Sequence, residues 1–146
     1  MTIRTDRVVI DTNVWIFGLR RAPAYFACTQ LLDRLDELTV VLPRQILREL
    51  QANLNDEELR EFFRLVNLHP TRVGLDWRKA PVEVIRKYET LGGKRGDAVV
   101  AAHVEHLGIP VLVSENREFL SGVPDLPFRI VTASSALAEI EQAAQP

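Results

Sequence analysis

At 146 residues, with 47% apolar and 26% charged side chains, the chain has the size and balance of one soluble domain able to bury a core, which excludes the disordered and fibrous classes. A net charge of −2 and a pI near 5.9 exclude nucleic-acid binding through a broad basic face, so any such contact must be local or bridged by metal ions. The single Cys28 excludes an intrachain disulfide, Met1 to Arg7 lacks a signal peptide's apolar segment, and no run approaches the roughly 20 apolar residues of a membrane helix. The expected setting is the cytoplasm, with no membrane contact.

Val8-Val9-Ile10 is a continuous β-branched apolar run of the kind found in a short buried parallel strand, and Asp11-Thr12-Asn13 closes it with an acid, a hydroxyl and an amide. Asn13 is the expected cap of a short helical turn over Val14 to Phe17, which Gly18 interrupts. Pro23 suits a first helical turn, and Phe26, Ala27, Leu31, Leu32 and Leu35 recur at helical spacing between Ala24 and Leu38. Thr39 to Leu42 is the second strand. Pro43 stops it and opens a helix through Leu54, with Ile46, Leu47, Leu50 and Leu54 on one side.

Asn55 or Asp56 caps the next helix, whose buried stripe is Leu59, Phe62, Phe63 and Val66, with Glu57 and Glu58 in the favourable first turn. His69 to Pro81 is irregular, with a third strand over Thr71 to Val73. Pro81 to Leu91 reads as a helix ending at Gly92-Gly93. Asp97 starts a small-residue helix that closes at Gly108. Ile109 to Val113 and Phe128 to Val131 are the last strands, and a helix from Ser134 to Gln142 ends the chain. There is no repeat, low-complexity segment or linker. Strands alternating with helices predict one α/β domain over 1–146, with a mainly parallel sheet flanked by helices.

In such a sheet every connecting helix starts at the carboxyl edge of the strands. Asp11 leaves the first strand there, and Asp97 begins a helix there. Glu49 lies six residues past Pro43, about 9 Å along the helix axis at ~1.5 Å per residue, within reach of the same rim. Ser114, Glu115 and Asn116 follow the Val111 to Val113 run. Segments far apart in sequence thus meet at one crevice, where open α/β sheets bind ligands. Taken singly, Asp11 is an ordinary helix cap, Glu49 a solvated charge, Asp97 a first-turn acid and Asn116 a loop residue. Together the acids repel unless a cation neutralises them, and oxygen ligands without nearby His or Cys suit Mg²⁺ or Mn²⁺.

Four segments in order carry a family resemblance: Val9-Ile10-Asp11-Thr12-Asn13-Val14, Leu47-Arg48-Glu49-Leu50, Gly96-Asp97-Ala98-Val99-Val100-Ala101-Ala102, and Leu112-Val113-Ser114-Glu115-Asn116-Arg117-Glu118-Phe119. The chain resembles the PIN domains, metal-dependent ribonucleases that include many toxins of bacterial toxin–antitoxin pairs. The resemblance implies a three-layer Rossmann-like fold, with Asp11, Glu49 and Asp97 as the family's three acidic residues. The fourth family position, often Asp, is Asn116, which removes a charge and bears on a second metal; Glu115 or Glu118 is the candidate to compensate.

The chemistry this implies is hydrolysis of an RNA phosphodiester by metal-activated water. Asp11 and Asp97 would hold the metal, Glu49 would bind it or orient the water, and Asn116 and Ser114 would position a water or a phosphate oxygen. Thr12 and Asn13 would brace the turn that aims Asp11. Lys94-Arg95, just before Asp97, are candidate RNA contacts, whereas Arg20-Arg21 read as a solvated charged loop. His103 and His106, three apart on a helix but away from the rim, read as structural or surface histidines. Trp15, Phe17, Tyr25 and Phe26 are core or a self-association surface. The resemblance also implies a homodimer and a cognate antitoxin. Two alternatives stand beside this reading. One is a catalytically weak PIN-like module that binds RNA or protein. The other is a haloacid-dehalogenase-like phosphatase, which Asn13 disfavours because a second acid belongs there.

Overall fold

The computed structural model describes residues 3–116 and 118–144; Met1, Thr2, Arg117, Gln145 and Pro146 lie outside them. Five parallel strands, β1 (Arg7–Ile10), β2 (Thr39–Pro43), β3 (Val73–Asp76), β4 (Val111–Val113) and β5 (Arg129–Val131), form one sheet in the order β3-β2-β1-β4-β5. Around it are α1 (Thr12–Leu19), α2 (Phe26–Leu32), α3 (Arg44–Asn53), α4 (Asp56–Leu68), α5 (Val82–Thr90), α6 (Arg95–His106) and α7 (Ala133–Ala144). This is the three-layer α/β architecture with a parallel sheet between helical layers.

β1 is central because Val8, Val9 and Ile10 have no exposed surface, and only a strand covered on both faces can hold such a run. Val8 pairs with Val40 on one side and Val111 on the other. Right-handed crossovers put the β1–β2 and β2–β3 connections on one face and the β3–β4 connection, α5 and α6, on the other. The helix packing agrees: α1 lies on α2, α2 on α7, and α5 on α6. α3 touches both α1 and α6, so it lies where the two layers meet at the carboxyl edge of the sheet. Gly18 lets α1 approach α2, since a Cβ there would fall 2.9 Å from the Cys28 carbonyl oxygen.

The structure departs from the sequence expectations at several boundaries. Asp11, not Asn13, caps α1, with its carboxylate accepting from the Thr12 N–H. The periodic stretch 24–38 is a 3-10 turn at Pro23–Tyr25, then α2, then a second 3-10 turn at Leu35–Glu37. The N–H groups of Asp33 and Arg34 bond back to Thr29 and Leu31, and the chain turns there so that Leu35 and Leu38 are buried on the way into β2. β3 runs 73–76 rather than 71–73, because its register is set by pairing with β2 up to Pro43 against Asp76. β4 starts at Val111, since Pro110 has no N–H to donate to a ladder. β5 starts at Arg129, one residue later than expected.

α4 has the expected Asn55 cap, with Glu58 completing a reciprocal capping box. Of its expected buried stripe, Phe62 is fully buried, whereas Phe63 is 37% exposed. α7 begins one residue before Ser134. Among the described residues no helix is long and apolar enough to cross a membrane.

Candidate active site

β1 and β4 are neighbours whose onward connections leave in opposite directions, which opens a crevice at their carboxyl ends. Asp11 follows β1 and Ser114 follows β4. The Asp11 N–H donates to the Val113 carbonyl at 2.8 Å, and the Ser114 N–H donates to Val131 at 2.9 Å. The ladder thus continues one residue past the strands and fixes both side chains at the crevice mouth.

Asp11 is only 7% exposed. Its Oδ2 accepts from Ser114 Oγ at 2.8 Å and its Oδ1 from the Thr12 N–H at 2.8 Å. Ser114 Oγ also accepts from the Asn116 N–H at 3.1 Å and from Asn13 Nδ2 at 3.4 Å. With both lone pairs so used, its one proton is left for Asp11. Burial pushes the Asp11 carboxyl up to about 6, the bonds from Ser114 and Thr12 oppose this, and the charges of Asp97 and Glu49 add to it.

Glu49 reaches the crevice from α3. Thr12 Oγ1 donates to its Oε2 at 2.7 Å, and Gln45 Nε2 donates to its Oε1 at 3.2 Å. The backbone of α6 passes close by: a Cβ on Gly96 would lie 3.0 Å from Glu49 Oε1. Asp97 is the third residue of α6 and half-buried. Burial holds its carboxyl above the usual range, with Lys94 opposing. The structure therefore brings Glu49 and Asp97 within electrostatic reach of Asp11. Asn116 joins them through its backbone bond to Ser114 and lines an adjoining cleft of about 360 Å³ with Phe119, Leu120 and Phe128.

Other candidates are placed elsewhere. Glu115 does not supply the charge missing at Asn116: its Oε1 accepts from the Ala133 N–H at the start of α7, 3.0 Å away, and from the Cys28 thiol at 3.8 Å. Burial and that carboxylate push the thiol up to about 12, so it stays protonated. Glu118 is exposed. Arg20 is not merely solvated, since its guanidinium pairs with Glu58 at 2.8 Å and bonds the Asn53 carbonyl, tying α1 to α4. Arg95 pairs with Glu89 at 3.0 Å. His103 is buried inside α6 while His106 ends it. Trp15 is core, donating from Nε1 to the Ile10 carbonyl and meeting Phe62 edge-on. Phe17 stacks on Tyr25 near the surface, where Tyr25 is 40% and Phe26 49% exposed.

A family model described as PIN domain matches residues 8–122. The chain belongs to the PIN-domain family. That family consists of nucleases. Membership sets aside the haloacid-dehalogenase-like alternative. The Asn13 amide, at the position where that family needs an acid, instead bridges Ser114 Oγ and the Glu115 N–H. Comparison with curated protein sequences finds no match.

Solved structures share the fold. VapBC2 from Rickettsia felis, in crystals with a DNA fragment from its promoter, superposes with a TM-score of 0.60 at 16% identity, covering 86% of this chain and 98% of that one. FitAcB from Neisseria gonorrhoeae gives 0.56 at 18% identity over 87% and 98% of the chains. PAE2754 from Pyrobaculum aerophilum gives 0.56 at 15% identity over 99% and 100%.

The donor set of this PIN domain suits a hard divalent cation. It is three carboxylates at one rim, and none of them forms an ion pair with a described Lys, Arg or His. Among the described residues, no three His, Cys, Asp or Glu side chains stand close enough to hold an ion as placed. Two of the acids are held by neighbouring side chains, Asp11 by Ser114 and Glu49 by Thr12 and Gln45. Gln45 and Gly96 are site residues that the sequence reasoning passed over. Gln45 carried a usable signal, four residues before Glu49 on the same helix face; the part played by Gly96 depends on how α3 meets α6.

Proposed function

We propose that this PIN domain is a divalent-metal-dependent endoribonuclease that hydrolyses RNA phosphodiester bonds. Its working residues are Asp11, Glu49, Asp97 and Asn116, and its cofactor is Mg²⁺ or Mn²⁺. The observation that carries this reading is the Asp11 carboxylate, buried and pushed up to about 6 beside two further acids, with no cation paired to it. A divalent cation bound there supplies the charge that offsets the acids, admits an anionic backbone and acidifies water. Asp11 and Asp97 would hold it. Ser114 keeps Asp11 aimed into the crevice, and Thr12 fixes one Glu49 oxygen so that the other can bind the ion or orient the attacking water. The Asn116 amide would position a water or a phosphate oxygen. With three acids rather than four, the set favours one ion over two.

The same reading makes the chain the toxin of a toxin–antitoxin pair, with a cognate antitoxin and a homodimeric state. The family resemblance and the fold likeness to VapBC2 and FitAcB support it, and the exposed Tyr25 and Phe26 offer apolar surface for association. The test is cleavage of a panel of structured RNAs by purified protein with Mg²⁺, Mn²⁺ or chelator. Cleavage is expected with either metal and is expected to vanish in chelator and in Asp11→Asn and Asp97→Asn. Asp11→Asn cutting as fast as wild type in Mn²⁺ overturns the site. RNA binding without any cleavage favours a catalytically weak binding module.

A further inference from the structure

A second concavity of about 350 Å³ is walled by α3, α5, α6 and the segment after β3. Its lining includes Arg44, Arg48, Arg78, Lys79, Arg95 and His103. Five cations converge there in a chain whose net charge is −2. The side chains of Arg44, Arg48 and Lys79 make no hydrogen bond or ion pair with any described residue, whereas Arg78 is held by Asp76 and Arg95 by Glu89. Arg44 and Arg95 are also the first residues of α3 and α6, and the caps of these helices, Pro43 and Lys94, give no side-chain bond to the free N–H groups. A cation at a helix N-terminus is opposed by the helix dipole. Two such placements meeting at one cavity destabilise the free protein and favour a bound anion. His103, buried in the wall, has an Nε2 without a hydrogen-bond partner, 3.6 Å from Asp76.

The cavity adjoins Glu49 through α3. Arg44 and Arg48 form one i, i+4 row on this helix, and Gln45 and Glu49 form the row beside it. Gln45 both lines the cavity and donates to Glu49. Resting on the ribonuclease reading, we infer that this cavity is the subsite that takes backbone phosphates of the substrate RNA strand next to the scissile one, gripped by Arg44, Arg48 and Lys79. Trp77, 58% exposed and adjoining Arg78-Lys79 in the chain, offers an aromatic face on which a neighbouring base stacks. That face favours a nucleic acid over an acidic peptide as occupant.

The experiment is fluorescence anisotropy of a short labelled single-stranded RNA in chelator, so that nothing is cut, across a salt series. The proteins are wild type, Arg44→Gln/Arg48→Gln, Arg48→Gln/Lys79→Gln, Trp77→Ala, and Arg60→Gln on α4 as a control. Each double variant is expected to lose about tenfold in affinity, and its salt slope to flatten by roughly 0.7 for each phosphate that is no longer neutralised. Trp77→Ala weakens binding with the slope unchanged, and Arg60→Gln leaves both as in wild type. Arg48 and Lys79 are exposed, so that pair carries the test even where Arg44→Gln disturbs the start of α3. Unchanged affinity and slope in the double variants overturn the inference. So does binding of poly-glutamate that needs these residues while RNA binding does not. Cleavage by wild type alongside undiminished binding by the variants removes this subsite and leaves the ribonuclease reading. RNA bound through these residues by a chain that cleaves nothing does the reverse.

Discussion

Thr12 Oγ1 donates a 2.7 Å hydrogen bond to Glu49 Oε2, joining the residue after β1's acid to a helix 37 positions further along the chain. The bond ties one Glu49 oxygen to α1, so under the proposed function Thr12 would position a carboxylate it does not replace. Thr12→Val keeps the shape and removes the donor. It is expected to destabilise the fold by only about 1 kcal/mol while raising the Mn²⁺ concentration needed for half-maximal RNA cleavage. Thr12→Ser restores the donor and should restore the metal dependence. A metal titration in which Val, Ser and Thr behave alike at position 12 removes Thr12 from the site.

Gly96 separates stability from activity. A Cβ there would press on Glu49 Oε1 at 3.0 Å and approach Gln45 Nε2 at 3.5 Å, and both are side-chain ends that can swing away. Alanine is also the better helix former by up to about 1 kcal/mol. Gly96→Ala is therefore expected to melt at the same temperature as wild type or higher, yet to cleave RNA more slowly, because the carboxylate that moves is Glu49. A calorimetric scan and a single-turnover cleavage rate on the same preparation check this. Unchanged cleavage shows that the Glu49 position is immaterial.

These two residues also mark where sequence reasoning stops. β1 is legible because Val8, Val9 and Ile10 are buried on both faces and therefore apolar without alternation. The rim positions of Asp11, Glu49 and Asp97 follow from a parallel sheet alone, since strands end and helices begin at one edge. β3 is hard to place because it is an edge strand: Gly74 and Leu75 are exposed, so composition marks nothing and the register comes from β2. The 24–38 segment keeps helical spacing through Leu35 although the helix ends at Leu32, since a 3-10 turn buries residues three apart just as well. The cationic cavity is invisible for the same reason as Gly96. Arg44, Arg78 and Arg95 lie on three separate segments, and only the packing of α3, α6 and the segment after β3 makes them neighbours.

Asn116 offers a gain-of-charge test. Its N–H is anchored on the Ser114 hydroxyl that also holds Asp11, so an acid here adds a fourth negative charge beside the other three. Asn116→Asp is expected to lower the melting temperature in chelator through like-charge repulsion and to bind Mn²⁺ more tightly or in greater number. Isothermal titration calorimetry reads both affinity and stoichiometry. Identical isotherms for the two proteins place residue 116 outside the metal site.

Asp11 gives a pH signature with a definite sign. Its carboxyl titrates near 3.8 in the unfolded chain and at about 6 in the fold. Between those values the native state holds a proton that the unfolded chain has released. Stability from this group is therefore fully present below about pH 4 and is lost as pH rises to about 6. At roughly 1.4 kcal/mol per pH unit, the loss is on the order of 2–3 kcal/mol. Asp76, Glu37 and Glu58, whose carboxyls are held low by their arginine partners, change stability in the opposite direction. The quantity to measure is therefore the difference between wild type and Asp11→Asn, in which those contributions cancel. In chelator the variant is expected to be the more stable protein at pH 7, with the difference closing toward pH 4. Saturating Mn²⁺ should raise the melting temperature of wild type at pH 7 and leave the variant unmoved, because only the wild-type acid gains from the ion. A difference that stays constant between pH 4 and 7 shows that the Asp11 carboxyl titrates no higher in the fold than in the open chain.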